Sequence, residues 1–190
     1  IMALKSASMG YQLHVEPRTL IRAYEFLNKV QAEDGAAYGY VNRNDRPRDG
    51  ATSAIGLLCR MYYGPSAGWD KENPALARGV SNLSRRGPSR GEKTDMYYNY
   101  YATQVMRHWE GEEWEKWNKV MRDYLTSTQA KNGAETGSWY FDDPSDHGAQ
   151  GQRLYVTSLA TMTLEVYYPH FPLYPKATTE AQFKPEKLLI

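Results

Sequence analysis

The sequence predicts an all-α protein, on three observations: helical hydrophobic spacing, an alternation of charged with charge-free segments, and a recurring loop string. At 190 residues the chain is long enough to bury a substantial core. Hydrophobic residues at 41% and charged residues at 24% belong to an ordinary folded protein rather than a disordered one.

The first class of segment is amphipathic. In residues 18–30, Leu20, Ile21, Tyr24, Leu27 and Val30 fall on one helical face, opposite Arg18, Arg22, Glu25 and Lys29. Residues 74–86 repeat the pattern with Leu76, Val80 and Leu83 against Arg78, Asn82 and Arg85. Residues 112–128 do so with Trp114, Trp117, Met121, Tyr124 and Leu125 against Glu112, Lys116, Lys119 and Arg122. Each is expected to be a helix with one wet side.

The second class is nearly free of charge. Residues 51–63 contain only Arg60, and residues 96–106 and 154–164 contain no charge. Such segments are expected to be helices buried all round, with Ala54, Gly56, Ala102, Thr103, Ala160 and Thr161 allowing close packing. The Tyr- and Thr-rich runs also suit strands, but their length and poor alternation favour helix. Residues 1–9 read as the end of a further buried helix, as if the chain were a segment of a longer protein. The order wet, buried, wet, buried makes α-hairpin repeats. Two layers, neutral helices inside and amphipathic ones outside, would bury every second helix; this is an α/α toroid or an arc of one, with an open solenoid fitting as well. The repeat domain is expected over 1–175, and 176–190 as an irregular arm in a proline-rich tail.

The loops repeat too. The first wet helix ends in Gln31-Ala-Glu-Asp-Gly35 with Tyr38 following, and the third in Gln129-Ala-Lys-Asn-Gly133 with Trp139 following. Asp-Gly and Asn-Gly suit a left-handed turn just past a helix.

A Gln, a Gly and then an aromatic, closing the outer helix of an α-hairpin, resembles the QW-type motif of squalene–hopene cyclases and the wider prenyltransferase and squalene-oxidase repeat group. The resemblance implies a structural role for Gln31, Gly35, Tyr38, Gln129, Gly133 and Trp139: the Gln amide would bond the backbone at the next helix's N-terminus, under the cover of the ring. It also implies what a catalytic member would need. Triterpene cyclases present an Asp-x-Asp-Asp acid, and prenyltransferase β-subunits a zinc-binding Asp-x-Cys pair with a distant His. This chain has neither string.

The acids left as candidates are Asp95, Asp142 and Asp143. The last two lie in the string Asp142-Asp143-Pro144-Ser145-Asp146-His147, which reads as a solvated turn before it reads as a cation site. Cys59, between leucines and Arg60, reads as a buried small hydrophobe. His14, His108, His147 and His170 lack a metal-ligand spacing, so no metal and no cofactor is expected.

Ligand contact is expected instead from tyrosines. Tyr97, Tyr98, Tyr100 and Tyr101 share one neutral segment, and Tyr155 lies on the next. These rings suit an apolar or a carbohydrate ligand, or a Tyr-rich core. At roughly 45 residues per hairpin a closed ring would need more than this chain, so enclosure would come from other domains of a longer protein or a second copy.

The function expected is a non-catalytic binding or interaction module. The alternatives are a divergent terpenoid cyclase with a non-standard acid and a carbohydrate-active α/α toroid with paired carboxylates. A net charge of +1 gives no footing for nucleic acid, and no run is long and apolar enough to span a membrane. The sequence points to no compartment.

Overall fold

A computed structural model describes residues 1–10, 13–45, 50–91, 94–141 and 148–166. The protein is all-α: seven α-helices and one two-residue strand pair occur among the described residues. The helices are α1 (Met2–Gly10), α2 (Pro17–Val30), α3 (Gly50–Tyr63), α4 (Pro74–Arg86), α5 (Met96–Trp109), α6 (Gly111–Thr128) and α7 (Gly148–Glu165). No helix among the described residues is long and apolar enough to cross a membrane. Two compact units divide the chain inside α4, between Val80 and Ser81.

In the first unit, α2 starts on Pro17, which needs no helical N–H partner there, and turns Leu20, Leu27 and Val30 inward. Helix α3 buries Ala54, Leu57, Leu58 and Tyr63, and the Tyr63 hydroxyl donates to the Leu20 carbonyl at 2.7 Å. Helix α4 opens on a side-chain cap: Asn73 Oδ1 accepts from the backbone N–H groups of Ala75 and Leu76 at 2.9 and 3.1 Å. Leu76 and Val80 are then buried on the face that the spacing indicates.

In the second unit, α5 packs against both α6 and α7. Its buried polar groups are tied off. Thr103 Oγ1 donates to the Asn99 carbonyl at 2.7 Å and accepts the Trp117 indole N–H at 2.8 Å, while the Asn99 side chain bonds both backbone groups of Ser89. Trp114, Trp117, Met121 and Leu125 form the buried face of α6.

The neutral segments do not all behave alike. Helices α3 and α5 are largely buried, whereas α1 is half-buried. Helix α7 departs further from burial on every side. It buries Val156, Leu159, Ala160 and Thr163, but Leu154 is 79% exposed and Met162 37% exposed, with Ser158 and Thr161 beside them. Ser158 and Thr161 return their hydroxyls to the carbonyl four residues back, which lets an uncharged helix face meet water.

Candidate functional site

Both Gln-containing loops are built to one plan. Gln31 and Gln129 each leave their helix in extended geometry, at φ −66°, ψ 137° and φ −60°, ψ 133°, while each backbone N–H still reaches back four residues, to Leu27 and Leu125. The chain then folds back on itself. In the first loop Gln31–Ala32 (β1) pairs antiparallel with Ala37–Tyr38 (β2). In the second, the Ala130 carbonyl accepts from Gly137 at 2.8 Å and its N–H donates to Ser138 at 2.9 Å. Gly35 and Gly133 turn the corners at φ +94° and +74°, as the Asp-Gly and Asn-Gly strings require.

The aromatic residue that ends each loop is pinned to a hydroxyl on the following helix. Tyr38 N–H donates to Ser53 Oγ at 3.2 Å, and Trp139 N–H to Thr157 Oγ1 at 3.0 Å. Both rings are buried, Tyr38 at 1% and Trp139 at 4% exposure.

The glutamines do not meet a helix N-terminus. Gln129 Nε2 donates to the Gly137 carbonyl of its own loop at 2.9 Å. Gln31 Oε1 accepts from Arg60 Nη2 at 3.0 Å. A charge within reach is the stronger partner for a buried carboxamide oxygen.

Arg60 is the residue around which the first joint is organised. It is fully buried in α3. Its Nε donates to the Tyr38 hydroxyl at 3.1 Å, and its Nη2 to Asn28 Oδ1 at 2.7 Å as well as to Gln31. The guanidinium carbon lies 4.5 Å from the ring centroids of both Tyr24 and Trp69, and 5.8 Å from that of Tyr38. The Trp69 indole in turn donates to the Tyr24 hydroxyl at 3.2 Å. Tyr38 lies flat on Gly56, where any side chain would strike the ring. Burial raises the Tyr38 pKa, with the neighbouring guanidinium pulling the other way. These are cation–π and neutral-acceptor contacts throughout. The signal for this cluster is Arg60 itself, one charge inside an otherwise uncharged helix.

The described residues among those singled out for ligands and catalysis do different work. Tyr98 is a core residue rather than a pocket wall: it is fully buried, its hydroxyl donates to the Gly87 carbonyl at 3.0 Å, and burial holds its pKa well above that of free tyrosine. Tyr97, Tyr100 and Tyr101 are half-buried and touch one another edge to face, at 4.9 Å for Tyr97–Tyr101 and 5.0 Å for Tyr100–Tyr101. Tyr155 is half-buried on α7. Asp95 is the N-cap of α5, accepting from Tyr98 N–H at 2.7 Å, which gives its carboxylate a structural task. Asp142 and Asp143, with His147, His170 and the arm 176–190, lie outside the described residues. Cys59 is partly buried against the Leu20, Leu27 and Tyr63 cluster, and burial raises its thiol pKa.

A cleft of about 450 Å³ opens elsewhere in the second unit. Arg107 and Glu110 at the end of α5 line it, with Trp114, Glu115, Asn118 and Arg122 of α6; none of the tyrosine candidates does. Among the described residues no three His, Cys, Asp or Glu side chains gather where they could hold a metal ion.

What these features define is an all-α protein with two similarly built helix–loop–helix joints, one of them closed on a buried arginine. Compared with protein-family models, curated proteins and solved structures, the chain has no match in any of the three.

Proposed function

We propose that the chain is a terpenoid cyclase-like repeat domain, an arc of α-hairpin repeats, that serves as a non-catalytic binding or interaction module. The observation that carries this reading is the likeness of the two joints. Gln31 and Gln129, a glycine at positive φ and the hydroxyl-pinned rings of Tyr38 and Trp139 recur in the same order, as a diverged duplicated hairpin would have them. The use of the polar groups supports the non-catalytic part. Asp95 is spent on a helix cap, and the Tyr98 hydroxyl on a backbone carbonyl. The exposed face of α7, uncharged from Leu154 to Met162, supports a role in contact with another protein surface.

The test is direct. The chain is incubated with squalene and, separately, with prenyl diphosphates, and the products are analysed by mass spectrometry. No conversion is expected. Turnover that disappears in Asp143→Asn would establish the cyclase alternative and overturn this reading.

A further inference from the structure

We propose that the Arg60 cluster is a binding site for a small monovalent anion, a carboxylate or a halide, seated at the Nη1 edge of the guanidinium. The argument is an account of donors and acceptors. A guanidinium carries five N–H groups and no acceptor. Here Nε and Nη2 are taken by the Tyr38 hydroxyl, Asn28 Oδ1 and Gln31 Oε1. Nη1 is buried and makes no hydrogen bond. Among the described residues no carboxylate pairs with Arg60.

The groups around it cannot supply what is missing. Asn28 and Gln31 have turned their carbonyl oxygens to the guanidinium, so their amide nitrogens, which bond no described residue, add further donors. The rings of Tyr24 and Trp69 present π-faces at 4.5 Å and accept no strong hydrogen bond. The whole cluster is therefore positive and short of acceptors. A buried cation in that condition favours an acceptor that also brings negative charge over a neutral one. A small ion is called for because Nη1 has no open space beside it and the Tyr24 and Trp69 rings wall the guanidinium, so a neighbouring side chain must move to admit it. Asn28, an exposed residue of α2, marks the side from which it would enter. This inference is independent of the repeat-domain reading above.

The experiment uses the intact chain labelled with ¹⁵N. Sodium formate and sodium chloride are titrated separately, with sodium sulfate holding ionic strength constant, while the Arg60 Nε–H and Trp69 indole N–H resonances are followed. A saturable shift of both signals is expected. Saturation by formate identifies a carboxylate site, and saturation by chloride alone a halide site. The melting temperature should rise by about 3–6 °C at tenfold excess over Kd. Gln31→Glu places a carboxylate beside the guanidinium from within the chain, so its melting temperature should be higher and its saturable response lost. Shifts that never saturate with either ion would overturn the proposal, and so would an undiminished response in Gln31→Glu.

Discussion

The two helix–loop–helix joints share an extended exit at a glutamine, a folded-back loop and a hydroxyl-pinned ring, and differ in what fills them. Setting Ser53 against Thr157, the two pinning hydroxyls, places Gly56 with Ala160 and Arg60 with Leu164. In the first joint a tyrosine lies on a glycine and its hydroxyl meets a buried cation. In the second a larger indole takes the ring position and satisfies its own N–H on the Leu125 carbonyl at 2.8 Å. Gln31 is drawn to the arginine, while Gln129 is left to close its loop. The lesson is that helix caps, glycine corners and one hydroxyl fix this joint, and that its interior can be ionic or neutral on the same frame.

That contrast can be broken by exchanging the interiors. The largest effect is expected for Arg60→Ala, which leaves a cavity and orphans the Tyr38, Asn28 and Gln31 acceptors, at about 3–5 kcal/mol. Arg60→Leu imports the residue of the second joint and should cost clearly less, because a well-packed apolar side chain can replace a buried ion. Urea unfolding of both variants checks the order; equal losses would mean that the charge, not the filling of space, holds the joint.

Next comes Gly56→Ala. Helix propensity alone would reward it by about 1 kcal/mol. Its new methyl group meets the Tyr38 ring, so a net loss of about 1–3 kcal/mol is expected from overpacking. Calorimetry decides the sign, and a gain in melting temperature would show that Tyr38 can leave its place at little cost.

The smallest effect sharpens the second joint. Trp139→Phe keeps a ring but removes the bond to Leu125, and should cost about 1–2 kcal/mol through that lost hydrogen bond and lost packing. Indole resonances of the other tryptophans should stay in place; widespread shifts would indicate that the joint organises more of the unit than its own ends.

Most of the helical frame was legible in the sequence. Helices α2, α4 and α6 declare themselves by period, because one wet side forces apolar residues onto a shared face. Helix α7 was legible as a helix but not in its surroundings. Absence of charge marks a segment that can be buried, and Leu154 shows that it need not be. The loop motif was visible as well, whereas the partners of its glutamines were not. Gln31 meets Arg60 from across the first unit, and Trp69 is brought in by the turn after α3, so no local spacing announces either. Tyr98 escaped for a related reason: rings in one run face different ways on a helix, and only the position of the Gly87 carbonyl shows which one is core.

The buried arginine also bears on how the first unit comes together. Its acceptors arrive from α2 and from the loop after it, and its aromatic walls from α2 and from the turn beyond α3. A half-assembled unit would hold a dehydrated cation with nowhere to place its hydrogens. Repeat proteins can grow by adding one neighbour at a time, but these segments gain by docking together. Cooperativity is thus written into a single side chain.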